Sequence, residues 1–289
     1  MENLDLSIIT VGYKSAAYLK DLLESFRVAR VGLQTEFFII DNASGDGSLE
    51  MIEREFKDLN DTACTLRLIQ NEKNLGFARA NNIGIAASRG RYVLLLNPDM
   101  RLNVDTLTQM VAWMDKNPQA AVAGCKLQTP DGAIQPHVRA FPKLSDQLAI
   151  LLKIPHIFPG VLKNYLMNDF NYSADARVDS IRGSFFMIRR ETIEKIGGLD
   201  ERYFIWFEEV DYCRSVAAAN LQVWYTSAAI CTDFVGRSFS LVSGFQKQKY
   251  FTDSMVKYFK KWHTRVWWVI GSARYLALAA AWIAEKISV

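Results

Sequence analysis

The feature that most constrains the fold is the segment YVLLLNPD at residues 92–99. Its four consecutive apolar residues are typical of a short strand that is buried on both faces, as in a parallel sheet covered by helices. Pro98 cannot continue the hydrogen-bonded ladder, so the chain has to leave the sheet there. Taken alone, NPD fits a polar turn. In an open α/β sheet, however, Asn97 and Asp99 would stand beyond the carboxyl end of a central strand, where such sheets bind ligands.

Strand and helix patterns alternate around this segment. Apolar or β-branched runs at residues 6–11, 37–40, 66–69 and 120–123 predict further strands, and apolar residues at helical spacing between them predict helices. This βαβα order predicts a parallel sheet with right-handed crossovers. The pattern weakens over residues 129–179, which contain five of the seven prolines, so we expect long loops and short helices there.

Composition excludes some classes of protein. The 34 basic and 31 acidic residues give a net charge of +3, which does not indicate nucleic-acid binding. The four cysteines are scattered singly, which favours a reducing compartment over a disulfide framework. The first residues, MENLDLSIITV, carry two acids and no basic segment, so we expect no secretory signal peptide and a protein that stays in the cytoplasm.

Asp41 follows the second predicted strand, at the position that holds the nucleoside in many α/β nucleotide-binding proteins. A dinucleotide-binding domain would also need G-x-G-x-x-G after the first strand, and this chain has VGYKS at residues 11–15 instead. The sequence therefore disfavours a dehydrogenase. A simple turn residue is an equally good interpretation of Asp41 alone.

The segment NLGFARANNIG at residues 74–84 places two adjacent asparagines within a predicted helix. Asparagine is a poor helix former, so this pair suggests amides that face a ligand or a neighbouring loop. Arg79 carries the planar guanidinium that suits a diphosphate. The alternative is an asparagine pair that caps local backbone groups.

The segment DERYFIWFEEVD at residues 200–211 interleaves five acids with four aromatic residues. Carboxylates among aromatic side chains are partly desolvated, which raises their pKa and suits a general base. A helix beginning near Glu208 would also favour acids in its first turn for electrostatic reasons. On such a helix Glu208 and Asp211 share a face and Glu209 points about 100° away, so we expect only one of these directions to face a cleft.

The order and spacing of these segments, together with RGSFFMIRR at residues 182–190, resemble the family-2 inverting glycosyltransferases, and more narrowly their bacterial rhamnosyltransferase-like branch. The resemblance covers residues 4–238. It implies the α/β GT-A fold, with a mostly parallel central sheet flanked by helices. A nucleotide-binding half (about residues 1–125) would be joined to an acceptor-binding half (about 126–240), with a helical extension at residues 241–289.

The resemblance also implies how the donor is bound. Val11 and Tyr13 would flank the nucleotide, and Asp41 would accept a hydrogen bond from the N3–H of uracil or thymine, so UDP- and dTDP-sugars fit equally. Asn97 and Asp99 occupy the D-x-D position, at which Asp99 would bind Mg²⁺ or Mn²⁺ through oxygen. That ion would stabilise the departing diphosphate. Arg79 is retained as a donor-binding candidate.

On the acceptor side, the resemblance implies that Glu209 takes the proton from the acceptor hydroxyl, with Trp206 and Glu208 shaping the acceptor pocket. The family often has a histidine in H-x-x-G-x-S near the end of the domain, where this chain reads DFVGRS at residues 233–238. Aspartate also ligates Mg²⁺ and Mn²⁺. Asp233 is therefore the second expected metal ligand.

Near the end of the chain, residues 245–265 contain six basic residues and one acid, and residues 266–284 are apolar except for Gly271, Ser272 and Arg274. This length approaches that of a membrane span, but Arg274 near its middle costs about 2.5–3.5 kcal/mol on the insertion scale. We therefore expect a helix on the membrane surface with the basic run toward anionic lipid. The alternatives are packing on the catalytic domain or on a second copy in a homodimer.

The sequence thus predicts an enzyme that moves rhamnose from dTDP-rhamnose to a glycan or lipid-linked acceptor in bacterial cell-surface polysaccharide synthesis. It would act as a peripheral protein at the cytoplasmic face of the inner membrane. The alternatives are a transferase that uses a UDP-sugar and a non-catalytic relative that binds carbohydrate or nucleotide-sugar without turnover.

Overall fold

The computed structural model describes residues 4–234 and 242–287. Its first part alternates strands and helices as the sequence predicts. The elements are β1 (Leu6–Gly12), α1 (Ala16–Ala29), β2 (Thr35–Asp41), α2 (Ser48–Glu55), a 3₁₀ turn (Lys57–Leu59), β3 (Cys64–Gln70), α3 (Phe77–Ala87) and β4 (Tyr92–Leu96). The four strands pair in parallel in the order β3-β2-β1-β4. All residues of β2 and β4 are buried, as expected of continuous apolar strands covered on both faces.

The second part extends the same sheet. Its elements are β5 (Met100–Leu102), α4 (Thr106–Lys116), β6 (Ala120–Gln128), α5 (Leu144–Leu151), 3₁₀ turns (Ile154–His156 and Pro159–Leu162), α6 (Lys163–Leu166), β7 (Ala176–Val178), β8 (Phe185–Arg189), α7 (Arg190–Ile196), α8 (Glu208–Ala218), β9 (Gln222–Asp233), α9 (Gly244–Trp262) and α10 (Trp267–Ile287). The loops and short helices expected between residues 129 and 179 are confirmed.

The sheet is more mixed than a pure βαβα order predicts. Beyond β4 the order continues β8-β6-β9-β5, with β7 on β9, and β8 runs antiparallel to both β4 and β6. No single βαβ crossover joins β8 to either neighbour, so the rule for parallel connections does not set its direction. The sheet is parallel over β3-β2-β1-β4 and between β6 and β9, and β5 and β7 pair antiparallel with β9.

The direction of β8 determines which residues lie beside the end of β4. Because β8 is antiparallel, its first residue pairs with the last residue of β4, Leu96 with Phe185. The Asn97 N–H donates to the Ser184 carbonyl oxygen at 3.0 Å. Residues 182–184 therefore lie beside the NPD segment, at the edge where β1, β2 and β4 end.

The helix α9 packs on the rest of the fold through Asp211 of α8. The Asp211 carboxylate, which is 2% exposed, accepts hydrogen bonds from Lys261 Nζ at 2.7 Å and Trp262 Nε1 at 2.6 Å. Ser254 Oγ also donates to the Ile205 carbonyl oxygen at 2.7 Å. Helix α9, the basic part of the expected C-terminal tail, thus packs on α8 and on the segment before it.

We expect Asp211→Ala to lower the free energy of unfolding by about 3 kcal/mol, because the Lys261 ammonium and the Trp262 N–H would lose a buried carboxylate. Urea denaturation measures this change. The matched control, Asp169→Ala, removes an ion pair with Lys163 in which the side chains are 77% and 55% exposed, and should change stability by less than about 0.5 kcal/mol. Equal effects of the two variants would show that Asp211 does not anchor α9.

The last helix, α10, packs on α9 and α5. It is the one helix in the described parts of the chain whose length and apolar composition would allow it to cross a membrane. Most of it is not covered by protein: only 6% of the apolar window is buried. The two C-terminal helices therefore differ, since α9 belongs to the packed domain and α10 is largely exposed.

Candidate active site

A cleft of about 740 Å³ opens where the parallel strands end, and residues before and within α8 and α9 form its other walls. This volume is in the range of small-molecule sites, roughly 300–1,000 Å³. Of the ten residues that the sequence predicts for the site, eight line this cleft. They are Val11, Tyr13, Asn97, Asp99, Trp206, Glu208, Glu209 and Asp233.

The other two predicted residues, Asp41 and Arg79, do not line the cleft. Both Asp41 carboxylate oxygens accept a hydrogen bond from the Ser44 N–H, at 3.3 and 3.1 Å, and close the turn after β2. Arg79 Nε donates to Glu201 at 3.1 Å, and 56% of the Arg79 side chain is exposed. The structure therefore gives Arg79 a surface ion pair, and the diphosphate-binding role of Arg79 and the base-binding role of Asp41 both stay predictions.

The asparagine pair in α3 serves a neighbouring loop. Asn82 Nδ2 donates to the Leu199 carbonyl oxygen, and Asn82 Oδ1 accepts from the Leu199 N–H, both at 2.8 Å. Asn81 Nδ2 donates to the Phe77 carbonyl oxygen within the same helix at 2.9 Å. The sequence left several interpretations of this pair open. Asn82 matches contact with a neighbouring loop, and Asn81 matches hydrogen bonding to local backbone.

Sequence reasoning missed Arg182, which lines the cleft and donates through Nη1 to Asp233 Oδ2 at 3.1 Å. The sequence feature that could have indicated this residue is an arginine directly before the buried strand in the segment RGSFF. It also missed the contribution of α9, whose Gln246 and Tyr250 line the cleft. Tyr250 stacks on Phe204 with ring centroids 4.7 Å apart. No local pattern could have indicated that α9 returns to this wall.

An unusual turn presents the two adjacent glutamates. Trp206 and Phe207 both have left-handed backbones, with φ of 62° and 69°, and α8 begins at the next residue. Non-glycine residues rarely adopt this conformation, and it concentrates at functional sites. Glu208 and Glu209 then occupy the first turn of α8, where the helix dipole favours negative charge.

Both glutamates line the cleft, so the expectation that only one helix direction would face it was wrong. The cleft is also lined by the segment before β8, through Gly183 and Ser184, and by α9, through Gln246 and Tyr250. A Cβ at Gly183 would lie 3.4 Å from Glu209 Cβ, so the segment before β8 covers one side, and α9 covers another. Asp211, one turn further along, faces α9 and is engaged by Lys261.

Burial and local charge separate the two glutamates electrostatically. Burial, and next the charge of Glu209, raise the pKa of Glu208 well above its ordinary value. Burial also raises the pKa of Glu209, but backbone hydrogen bonding and the positive charge of Arg182 oppose that rise. Of the two, Glu209 is the one whose ionised form the nearby Arg182 favours. A difference of this kind can give neighbouring acids different roles.

The polar oxygens around the NPD turn fit a hard divalent cation. Asp99 and Asp233 are 7% and 4% exposed and both line the cleft, on segments joined by a hydrogen bond from the Phe234 N–H to the Asp99 carbonyl oxygen at 3.2 Å. Asn97 Oδ1 is buried and has no hydrogen-bond partner among the described residues. Carboxylate and amide oxygens are ligands that Mg²⁺ and Mn²⁺ prefer.

The described residues contain no group of three or more His, Cys, Asp or Glu side chains arranged to hold a metal. Mg²⁺ is commonly bound through one or two carboxylates together with substrate phosphates and water. Residues 235–238 of the expected DFVGRS motif lie outside the described residues.

The chain matches Glycosyl transferase family 2 over residues 7–197. The rhamnosyltransferase WbbL of Escherichia coli (strain K12) is 27% identical over 161 residues, which are 53% of this chain and 58% of that protein. The N-acetylglucosaminyl-diphospho-decaprenol L-rhamnosyltransferase of Mycobacterium tuberculosis (strain CDC 1551 / Oshkosh) is 24% identical over 237 residues, 78% of this chain and 75% of that protein. The chain thus spans less than two thirds of WbbL.

Among solved structures, the mannosyltransferase PcManGT from Pyrobaculum calidifontis in complex with GDP-Man and Mn²⁺ aligns with a TM-score of 0.62 at 17% identity. The alignment covers 98% of this chain and 75% of that chain. At this identity the likeness shows the fold, which is the GT-A fold. Because the family match spans 191 of the 289 residues, the chain belongs to glycosyl transferase family 2 and is a glycosyltransferase.

Proposed function

We propose that the protein transfers L-rhamnose from dTDP-rhamnose to a glycan or lipid-linked saccharide, with inversion at the anomeric carbon. The observation that carries the proposal is a cleft in which Glu208 and Glu209 lie together with Asp99, and in which the positive charge of Arg182 favours the ionised form of Glu209. A single ionised carboxylate is what a one-step displacement needs for its base. The rhamnosyl donor and the acceptor class are suggested by the names of the two bacterial relatives.

In this mechanism Glu209 accepts the proton of the acceptor hydroxyl while the hydroxyl oxygen forms a bond to the anomeric carbon. The bond from that carbon to the diphosphate oxygen breaks, and its electron pair leaves with the nucleoside diphosphate. Asp99 and Asp233, with Asn97, would hold the divalent cation, whose contribution when bound is to neutralise charge on the departing diphosphate. Val11 and Tyr13 would flank the nucleotide, and Trp206 and Glu208 would border the acceptor.

The proposed place of action is the cytoplasmic face of a bacterial inner membrane, where the protein associates peripherally and contributes to cell-envelope polysaccharide. Support comes from α10, which is apolar and largely exposed, and from the polyprenol-linked acceptor in the name of the Mycobacterium tuberculosis relative. Packing of α9 on the catalytic domain restricts the membrane contact to α10 and its neighbours.

The test is a comparison of dTDP-rhamnose with other dTDP-, UDP- and GDP-sugars, first by thermal shift and then by transfer to polyprenyl-diphospho-N-acetylglucosamine. We expect dTDP-rhamnose to raise the melting temperature and to yield dTDP with an anomerically inverted product, as measured by nuclear magnetic resonance. Turnover of a UDP-sugar alone would replace the proposed donor. Binding without transfer or donor hydrolysis would contradict the catalytic role.

Arg182→Met should shift the acid limb of the pH profile of kcat/KM to higher pH by on the order of one unit, because removing a nearby positive charge raises the pKa of a carboxylate. A general base must be deprotonated, so activity is lost as the pH falls through its pKa, and a higher pKa moves that loss upward. Arg177→Met, at an exposed residue of β7, is the matched control and should leave the limb in place. An unshifted limb in Arg182→Met would show that Arg182 does not tune Glu209.

A further inference from the structure

Exposed apolar side chains concentrate in two segments of the molecule. Among the described residues, fourteen large hydrophobic side chains are exposed, and nine of them belong either to α10 or to residues 152–161. The nine are Leu152, Ile157, Phe158, Val161, Trp268, Tyr275, Leu276, Trp282 and Ile283. Scattered exposed hydrophobic residues need no explanation, but a concentration of this kind marks an interaction surface.

The exposed residues of α10 form a stripe along one side of the helix. Trp268, Tyr275, Leu276, Trp282 and Ile283 follow helical spacing, and each is 50% to 69% exposed. The two tryptophans lie about 21 Å apart along the helix axis at ~1.5 Å per residue. No charged residue occurs between them on this stripe.

The one charged residue in the middle of α10 is turned toward the protein. Arg274 Nη2 lies 2.8 Å from Asp253 Oδ1 of α9, and Ile270 and Ala277, on the same inner side, are buried. The cost of burying an arginine in lipid therefore does not apply to a helix that lies on a membrane with its outer stripe down. It would apply to a helix that leaves α9 and spans the bilayer.

The second segment adjoins α10 through α5. Leu151, the last residue of α5, belongs to the same buried cluster as Ile270 and Ala277 of α10. The chain then exposes Leu152, Ile157 and Phe158, the last two at 74% and 64%. These side chains lie in 3₁₀ turns and loops and do not belong to an amphipathic helix. The described part of the chain leaves them uncovered.

The charge around these segments fits an anionic surface. Lys153, Lys260, Arg265 and Lys286 are exposed and form no ion pair within the described residues. Basic residues at the edge of an apolar face and tryptophans near its ends are characteristic of interfacial membrane binding. A protein–protein interface would instead tend to exclude lysine.

We propose that α10 and residues 152–161 together form a lipid-binding face that inserts into an anionic bilayer and holds the cleft at the membrane surface. The Phe245 N–H donates to Glu285 Oε2 at 3.0 Å, so the end of α10 lies beside the start of α9, where Ser243 and Gln246 line the cleft. An acceptor can thus enter the cleft while its lipid remains in the bilayer. This last step rests on the proposed function, whereas the lipid-binding face does not.

Co-sedimentation of the full chain with phosphatidylcholine vesicles, with and without phosphatidylglycerol, tests the proposal. We expect binding that requires phosphatidylglycerol and weakens with salt. Two double variants, Trp268→Ser with Trp282→Ser and Ile157→Ser with Phe158→Ser, should each lower the partition coefficient by about tenfold, because each removes two membrane-buried side chains. The control is Val31→Ser with Val104→Ser, which changes side chains that are 71% and 69% exposed elsewhere, and should bind as the unchanged protein does.

Circular dichroism and donor-induced thermal shift check that each variant is folded with an intact donor site. Loss of binding only in the α10 variant would reduce the face to one segment and overturn the two-segment proposal. Unchanged binding in both would overturn it entirely, as would light scattering that shows a dimer dissociated by these substitutions and no vesicle binding. Segment-dependent vesicle binding in a protein that transfers no rhamnose would retain the lipid-binding face and reject the proposed function.

Discussion

Replacing Glu209 by glutamine is expected to lower the rate of sugar transfer by ~10²–10⁴-fold, the range for removal of a general base. Glutamine keeps the size of the side chain and one acceptor oxygen, but it cannot take the acceptor proton. The donor would be bound elsewhere in the cleft, around Val11, Tyr13 and Asp99. The fall should therefore appear in kcat while the dissociation constant of the donor is unchanged.

Glu208→Gln is the informative comparison, because it changes the adjacent residue by the same single atom. Since burial and the charge of Glu209 raise the pKa of Glu208, neutral glutamine resembles the protonated form that this environment favours. We expect less than about a tenfold loss of transfer from this variant. Asp211→Asn should reduce stability without a specific effect on kcat, because Asp211 binds Lys261 and Trp262 outside the cleft.

Steady-state transfer and donor titration calorimetry on the three variants separate these roles. Full activity of Glu209→Gln together with inactivity of Glu208→Gln would assign the base to Glu208. It would also mean that the ionised form is held on Glu208, in spite of the positive charge of Arg182 near Glu209.

Local patterns in the sequence were sufficient for much of the fold. The first four strands and the helices between them follow from short apolar runs and helical spacing, and NPD ends β4 because proline cannot continue a strand. The direction of β8 could not be predicted, since it is set by pairing with β4 and β6. A pattern read along one segment does not contain that information.

The site was predictable to the same extent. Asn97 and Asp99 were predicted because they follow the end of a buried strand, whereas the choice of Glu209 among the neighbouring acids rests on the family resemblance. Arg79 was predicted to meet a diphosphate, yet it pairs with Glu201, which is 122 positions away. Arg182 and Tyr250 were missed for the same reason, because their neighbours in space, Asp233 and Phe204, are remote in the chain.

Asp99→Ala is expected to abolish transfer to the limit of detection, at least ~10³-fold, without unfolding the protein. Loss of several kcal/mol of transition-state stabilisation by a metal corresponds to this range, at about 1.4 kcal/mol per tenfold. The side chain stands in the turn between β4 and β5, outside the apolar clusters of the core. The hydrogen bond of its segment to Phe234 uses the Asp99 backbone oxygen and remains in the variant.

Binding of Mn²⁺ in the presence of dTDP, followed by electron paramagnetic resonance, gives a readout that does not depend on turnover. We expect Asp99→Ala to lose most of this binding and Asp131→Ala, an exposed aspartate outside the cleft, to retain it. Asp233→Asn should weaken Mn²⁺ binding as well, because asparagine keeps an oxygen ligand but not its charge. Near-normal transfer by Asp99→Ala, or full activity of the unchanged protein in excess EDTA, would remove the metal from the mechanism. The charge of the departing diphosphate would then be neutralised by cationic side chains that line the cleft, such as Arg182 and Lys14.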